Sequence, residues 1–185
     1  FAVQQPQHGT GHAVQCAEPA LHGFAGDVLV LAGDGPLIRA ATLDRLVGAH
    51  RAAHAAASLA TARIADPTGY GRIVRDARGR FAAIVEHKNC TPEQLAIHEV
   101  NPSYYCFDAA RLFHALGRVQ RDERSGEYFL TDVPALLLAE GATIEVLDAV
   151  PAEDVLSINT PAQLAEVDGI LRARTGVPTG KGGGA

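Results

Sequence analysis

A run of five apolar residues that ends at a glycine-flanked aspartate constrains this chain most. Residues 28–32 read Val-Leu-Val-Leu-Ala, and Gly33-Asp34-Gly35-Pro36 follows them. A short apolar run between turn residues predicts a parallel-sheet strand that is buried on both faces. Open α/β sheets bind ligands at the carboxyl ends of their strands, so Asp34 is expected at a binding edge. Its carboxylate is a candidate Mg²⁺ ligand, and the alternative is an aspartate that only caps a turn.

Composition and charge narrow the class of protein. The chain has 185 residues and a formal net charge of -5 with mixed signs, which favours neither a nucleic-acid partner nor a membrane surface. No apolar run reaches transmembrane length. Three widely spaced cysteines without a C-x-x-C pair predict free thiols in a cytoplasmic protein. Because patterned sequence begins at Phe1 itself, the chain is interpreted as a piece of a longer protein.

Helical and strand patterns alternate along the chain. Helices are predicted at residues 13–21, 42–54, 109–116, 128–140 and 162–174, and further strands at 57–64, 72–75, 81–86, 99–107 and 143–147. Thr10 is a candidate N-cap of the first helix, and Thr160 with Pro161 begins the last one. This alternation predicts a three-layer, Rossmann-like α/β domain with a mixed, mostly parallel sheet over residues 1–174. A flexible glycine-rich tail is expected over residues 175–185.

Three motifs resemble functional sites but are not interpreted as such. Residues 176–182 resemble a phosphate-binding P-loop, but the glycines are one residue too close and a glycine follows Lys181. His50 and His54 have the spacing of metal ligands one helical turn apart, but no third ligand accompanies them. A partly solvated helix face is the preferred interpretation of this pair. His8 and His12 share the spacing across a loop-to-helix junction, and they are likewise not interpreted as metal ligands.

Seven short motifs occur in one order along the chain. They are Q-x-x-Q-x-G-T-G-H-A at 4–13, G-D-x-P-L at 33–37, D-P-T-G-Y-G-R-I at 66–73, I-V-E-H-K at 84–88, E-V-N at 99–101, G-E-Y-F-L-T-D at 126–132 and S-I-N-T at 157–160. Together they resemble the uridyltransferase domain of the GlmU family, bifunctional enzymes that make UDP-N-acetylglucosamine. The resemblance runs from Gln4 to about Arg172 and implies a GT-A-like nucleotidyltransferase fold.

The resemblance implies three groups of site residues. They are a uracil-recognising loop, a Mg²⁺ site and an N-acetylglucosamine site, matched in turn by Gln4, Gly9 and Thr10, by Asp34 and Asn159, and by Gly71, Glu86 and Asn101. Asp34 is also the implied catalytic residue, and Asn159 is implied in substrate binding as well. Outside the resemblance, Asn159 is more commonly a helix cap, and Glu86 a solvated surface charge.

The implied reaction transfers UMP from UTP to N-acetylglucosamine 1-phosphate and releases pyrophosphate, with Mg²⁺ as cofactor. The phosphate nucleophile has a second pKa of about 6, so it is already ionised at neutral pH and needs no protein base. The small-molecule substrates are therefore the implied partners, and no Ser-His-Asp set is expected. Catalysis is expected to rest on positioning and on charge neutralisation.

The chain departs from the family pattern in three ways. The family's glycine-rich phosphate loop and its lysine would lie before Phe1, so this piece alone is expected not to turn over. Ala32 stands where a tyrosine is usual, and Pro102-Ser103 stands where Thr-Gly is usual. Nothing after residue 174 resembles the hexapeptide repeats of the acetyltransferase half. Two alternatives stay open: another sugar-1-phosphate nucleotidyltransferase, and a non-catalytic module that binds sugar nucleotides.

Overall fold

A six-stranded mixed sheet forms the centre of the computed structural model, which describes residues 1–176. Its strands are Asp27–Leu31 (β1), Ala57–Arg63 (β2), Gly71–Arg75 (β3), Phe81–Val85 (β4), Glu99–Asp108 (β5) and Ile144–Asp148 (β6). The strand order is β4-β3-β5-β2-β6. β1 and β3 pair with the two ends of β5 along the same edge, because β2 occupies the other edge.

Helices cover both faces of the sheet, which confirms the predicted three-layer α/β architecture. They are Thr10–Gln15 (α1), Ala40–Ala52 (α2), Pro92–Leu95 (α3), Ala109–Leu116 (α4), Val133–Ala139 (α5) and Pro161–Thr175 (α6). Leu112 of α4 and Leu137 of α5 pack with Phe107 on one face. Leu46 of α2 packs with Cys106 on the other. None of the described helices is long and apolar enough to cross a membrane, and all three cysteines are free.

The mixed character of the sheet is confirmed, but the prediction that it is mostly parallel is wrong. Over residues 1–176, β2 and β6 form the only parallel pair. β5 runs antiparallel to β1, β2 and β3, and β3 forms a hairpin with β4. β1, β2 and β6 nevertheless share one direction, since β1 and β2 are both antiparallel to β5. Their carboxyl ends and the start of β5 therefore lie at one edge of the sheet.

β1 is not buried on both faces, as its apolar run predicted. Val28 and Val30 pack against the core on one face. Leu29 and Leu31, which point to the other face, are 41% and 39% exposed. An uninterrupted apolar run does not reveal whether both faces of a strand are covered. In the described part of the chain, β1 pairs along a single edge, with β5.

Two predicted helices are shorter than expected. Residues 13–21 contain the end of α1 and then a separate 3-10 turn at Glu18–Leu21. Residues 128–140 contain a 3-10 turn at Leu130–Asp132 before α5 begins at Val133. Tyr128 instead forms an isolated β-bridge with Arg121. Pro134 lies in the first turn of α5, where its missing N–H costs no hydrogen bond.

The last helix begins as the sequence predicts. The Thr160 hydroxyl accepts a hydrogen bond from the Gln163 backbone N–H at 3.2 Å, and Pro161 occupies the first turn. The helix continues through Thr175 and is followed by Gly176, whose φ of 69° is typical of a C-terminal cap. Residues 177–185, which hold most of the predicted tail and of the P-loop-like motif, lie outside the described residues.

A buried carboxylate joins β2, β3 and β5. The Glu99 side chain is 3% exposed and accepts hydrogen bonds from Arg75 Nη2 at 2.7 Å and from Thr61 Oγ1 at 3.1 Å. Arg63 adds a longer ion pair at 3.3 Å. Burial raises the pKa of Glu99, but the hydrogen bonds and charge of Arg75, together with the Thr61 hydrogen bond and the charge of Arg63, outweigh burial, so the pKa lies below its ordinary value.

Replacing Glu99 by glutamine is expected to lower the free energy of unfolding at pH 7 by about 2 kcal/mol, because the neutral amide cannot pair with both arginines. The folded-state pKa of Glu99 is depressed, so this stability is present above pH 4.5 and is lost as the pH falls through the folded-state pKa. Urea denaturation at several pH values measures the difference. Glu123→Gln, at an exposed position, is the control. A Glu99→Gln deficit that does not shrink in acid would contradict the ion-pair account.

Candidate functional site

A cleft at the carboxyl edge of β1, β2 and β6 gathers five of the eight predicted site residues. Its volume is about 300 Å³, and its lining includes Asp34, Gly71, Glu86, Asn101 and Asn159. Each comes from a different segment of the chain: the loops after β1 and β6, the start of β3, the end of β4, and β5. The structure therefore brings together the residues that the resemblance assigns to the cation and to the sugar.

Asp34 and Asn159 present oxygen atoms in this cleft. Among the described residues, the Asp34 carboxylate has neither a hydrogen-bond donor nor an ion-pair partner. Its backbone carbonyl accepts from Ile158 N at 2.9 Å, which joins the two loops. Asn159 Nδ2 donates to Ser157 Oγ at 3.0 Å, which leaves the amide oxygen without a described partner. Since the N-cap of α6 is Thr160, the helix-cap interpretation of Asn159 is wrong.

A buried ion-pair cluster fixes the loop that carries Asn159. The Asp154 side chain is 1% exposed and lies 2.6 Å from Arg39 Nε. Arg174 Nη2 also donates to Asp154, and Arg174 Nη1 donates to the carbonyl of Leu37 at 3.0 Å. The cluster ties the segment after β6 to the loop after β1. Sequence reasoning missed these three charged residues, since none belongs to a recognisable local motif.

The part of the cleft that was predicted to bind the sugar has its own hydrogen bonds. Asn101 Nδ2 donates to Tyr105 Oη at 2.6 Å, and Asn101 Oδ1 accepts from Ser103 N at 3.3 Å. Glu86 Oε1 accepts from Thr131 Oγ1 at 2.9 Å, and Oε2 has no hydrogen-bond partner among the described residues. Glu86 is thus a carboxylate that Thr131 fixes within a cleft, rather than a solvated surface charge. Thr131 and Tyr105 were not predicted as site residues, although Thr131 lies within the G-E-Y-F-L-T-D motif.

The residues that differ from the usual family pattern, Ala32 and Pro102-Ser103, lie together in the cleft wall. Ser103 has a φ of 63°, a left-handed conformation that favours glycine. Its carbonyl accepts a hydrogen bond from Ala32 N at 3.2 Å. Ala32, Pro102 and Ser103 all line the cleft. These three residues therefore form one continuous part of the cleft wall.

The predicted uracil loop borders an adjoining cleft of about 260 Å³ that Thr10 and Glu86 both line. Thr10 Oγ1 accepts from Leu130 N at 3.0 Å, and the N-cap of α1 is Gly9. The prediction that Thr10 caps α1 is therefore wrong, because its hydroxyl accepts a hydrogen bond from a backbone N–H that is distant in the sequence. Gln4 Nε2 donates to the Gly9 carbonyl at 2.9 Å. Gln4 and Gly9 thus hold the loop together, whereas Thr10 lines the cleft.

His50 does not lie on a partly solvated helix face, as its spacing from His54 suggested. It is 3% exposed, and its Nδ1 lies 2.9 Å from Ser58 Oγ. Burial lowers the pKa of His50. His54 follows the end of α2 with a φ of 48°, so the two rings do not share a helix face. Within residues 1–176, no group of three or more His, Cys, Asp or Glu side chains could hold a metal ion.

Comparison with known proteins identifies the class. Residues 1–151 match the family model described as nucleotidyl transferase, and the chain belongs to this family. Among curated proteins, it is similar to the bifunctional protein GlmU. The relative from Pelobacter propionicus is 43% identical over 173 residues, and the one from Pelotomaculum thermopropionicum is 47% identical over 173 residues. Both alignments cover 94% of this chain, which spans 38% of the length of these relatives.

A solved structure supports the same fold. A UDP-glucose pyrophosphorylase, crystallised in complex with UDP-glucose, superposes with a TM-score of 0.59 at 17% sequence identity. The alignment covers 90% of this chain and 65% of that chain. At this identity the likeness concerns the fold, and it agrees with the mixed α/β sheet described above.

Proposed function

We propose that this chain supplies the site for Mg²⁺-dependent transfer of UMP from UTP to N-acetylglucosamine 1-phosphate, with UDP-N-acetylglucosamine and pyrophosphate as products. One observation carries the proposal. The unpartnered oxygens of Asp34 and Asn159 share a cleft with Gly71, Glu86 and Asn101. Membership of the nucleotidyl transferase family supports nucleotidyl transfer, and the motif resemblance to GlmU supports the choice of substrates.

The reaction is an exchange at phosphorus. A phosphate oxygen of the sugar 1-phosphate attacks the α-phosphorus of UTP and forms a new P–O bond. The bond from the α-phosphorus to the bridging oxygen breaks, and pyrophosphate leaves with the electron pair. The nucleophile is ionised at neutral pH because its second pKa is about 6, so no protein base is required. No histidine among the described residues lines the cleft, and positioning is the main task left to the protein.

Asp34 and Asn159 are the residues that would hold the cation. A carboxylate and an amide oxygen fit Mg²⁺, which takes few protein ligands and completes its shell with water and phosphate oxygens. When bound, Mg²⁺ neutralises charge on the phosphates. The Ile158–Asp34 backbone hydrogen bond at 2.9 Å keeps the two donor loops together.

Glu86 and Asn101 are proposed to recognise the sugar. Glu86 Oε2 has no described partner and can accept from a sugar hydroxyl, since Thr131 occupies only Oε1. The Asn101 amide offers a donor and an acceptor, as an acetamido group does. Gly71 lies opposite Asn101 in the β3–β5 register, where a Cβ atom would lie 3.1 Å from Ile84 Cγ2, so glycine allows the backbone to approach the cleft closely. A plain hexose would leave polar groups of such a site unpaired, at about 1–3 kcal/mol each.

Titration of the ¹⁵N-labelled chain with UDP-N-acetylglucosamine and Mg²⁺ tests the location of the site. We expect the largest amide shift changes at Asp34, Gly71 and Asn101, with little change in α4. Glu86→Gln is expected to weaken binding by about tenfold, because a charged acceptor is lost. Glu123→Gln, at an exposed position, serves as the matched control. Shift changes that map elsewhere, or equal affinities of both variants, would contradict the proposal.

Glucose 1-phosphate is the alternative acceptor, favoured by one feature of the cleft. Pro102 lines it directly after Asn101, and proline has no backbone N–H to donate to a ligand. The non-catalytic binding module predicts the same ligand contacts without product formation. Product analysis separates these functions, as described in the Discussion.

A further inference from the structure

The hydroxyls of two neighbouring tyrosines of β5 form hydrogen bonds in opposite halves of the cleft. Successive side chains of a strand point to opposite faces of the sheet. Tyr104 Oη donates to the carbonyl of Asp154 at 3.2 Å, on the side of the proposed cation loops. Tyr105 Oη accepts from Asn101 Nδ2 at 2.6 Å, on the side of the proposed sugar residues. Each tyrosine is 1% exposed, so neither is an interchangeable surface residue.

The Tyr105 hydroxyl is held in place by the core. Its ring stacks on Phe107 with centroids 5.4 Å apart and belongs to the apolar cluster under α4 and α5. Burial raises the pKa of Tyr105, so the hydroxyl stays protonated at neutral pH. The group that contacts Asn101 is therefore rigid and neutral.

Two contacts hold the Asn101 amide: the Ser103 N–H, which can only donate, fixes the side of Oδ1, and the Tyr105 hydroxyl anchors Nδ2. An asparagine amide has two donors on nitrogen and two acceptor sites on oxygen. Tyr105 takes one donor of Nδ2, and the Ser103 N–H takes one acceptor site of Oδ1. One N–H and one lone pair of Asn101 then remain for a ligand. The remaining N–H can donate to the carbonyl oxygen of an acetamido group, an acceptor that a plain hexose does not have at that position.

We propose that Tyr105 is a positioning residue that makes the site prefer an N-acetylated sugar to a plain hexose, by holding the Asn101 amide nitrogen in place. The proposal rests on the proposed function, since it concerns the same sugar nucleotide. It assigns Tyr105 no contact with the substrate.

The chain offers a matched pair of variants. Tyr105→Phe removes only the hydroxyl that holds Asn101. Tyr104→Phe makes the same chemical change at the adjacent, equally buried position, where the hydroxyl serves the Asp154 carbonyl instead. Calorimetry gives the dissociation constants of UDP-N-acetylglucosamine and UDP-glucose for each variant and for the unmodified chain. The ratio of the two constants is the readout, because a general loss of folded protein or of nucleotide affinity leaves it unchanged.

We expect the unmodified chain to prefer UDP-N-acetylglucosamine. Tyr105→Phe should reduce that preference by about tenfold through weaker binding of the acetylated ligand alone, and Tyr104→Phe should preserve it. If the unmodified chain shows no preference, the proposed sugar specificity fails. If it shows one that Tyr105→Phe retains, or if Tyr105→Phe weakens both ligands equally, the role of Tyr105 is overturned while the proposed function stands.

A second measurement needs no variant. In the unmodified chain, one side-chain amide proton of Asn101 is expected to exchange slowly with solvent, because Tyr105 accepts it at 2.6 Å in a buried place. NMR exchange of that proton tests this contact directly, even if Tyr105→Phe fails to fold. Fast exchange of both Asn101 side-chain protons would overturn the proposal.

Discussion

Replacing Asp34 by asparagine is expected to reduce turnover of the complete encoded polypeptide by at least about a hundredfold, and to weaken divalent-cation binding by this chain by about tenfold or more. The carboxylate is the only charged donor in the proposed cation site, and an amide of the same shape removes its charge. The fold should be unaffected, because no described residue pairs with the Asp34 side chain. Mn²⁺ titration followed by electron paramagnetic resonance measures the cation affinity of the chain without turnover.

Asp44→Asn is the control for this prediction, since Asp44 is an exposed aspartate of α2 and should bind Mn²⁺ no differently after the change. Thermal unfolding of both variants separates a loss of the site from a loss of the fold. An Asp34→Asn protein with full activity at saturating Mg²⁺ would refute the assignment of Asp34.

Gly9→Ala is expected to destabilise the chain by about 2–3 kcal/mol and to abolish nucleotide binding. Gly9 has φ 95° and ψ 178°, a conformation that is essentially restricted to glycine. A Cβ atom there would lie 2.7 Å from the carbonyl oxygen of Tyr128, which is backbone and cannot turn aside. The loop that carries Thr10 would have to leave its place against residues 127–130. Urea denaturation and calorimetry with UTP measure the two effects.

Gly48→Ala is the matched substitution. Gly48 lies within α2, and a Cβ atom there meets nothing within 4 Å. Alanine should therefore stabilise this helix by about 0.5–1 kcal/mol. If Gly9→Ala instead kept both the stability and the UTP affinity of the unmodified chain, the proposed role of this loop would be wrong.

Local patterns predicted the elements better than their arrangement. The α4 helix was predicted at residues 109–116 and is observed at Ala109–Leu116, because its apolar residues recur with a helical period. Strands were also predicted at residues 72–75 and 81–86 and are observed at Gly71–Arg75 and Phe81–Val85, because turn residues separate two apolar runs. The direction of β5 between β1 and β2 was not predicted, since an apolar run has no direction. The exposed face of β1 was missed because an uninterrupted apolar run does not reveal which faces of a strand are covered.

The site was predictable where motifs mark it. Asp34, Glu86 and Asn101 were assigned from sequence and line one cleft. The contacts that hold these residues join distant positions, and local spacing does not report them. Thr131 reaches Glu86 across 45 positions, and Arg39 reaches Asp154 across 115.

A single competition experiment tests the central claim most directly. The complete encoded polypeptide is supplied with UTP, Mg²⁺ and equal concentrations of N-acetylglucosamine 1-phosphate and glucose 1-phosphate. Mass spectrometry of the nucleotide sugars formed early in the reaction gives the ratio of the two kcat/KM values. We expect UDP-N-acetylglucosamine in at least about tenfold excess over UDP-glucose, and an amount of pyrophosphate equal to the sum of the two nucleotide sugars. Equal products or an excess of UDP-glucose would contradict the sugar assignment, and the absence of any nucleotide sugar would contradict the enzymatic function itself.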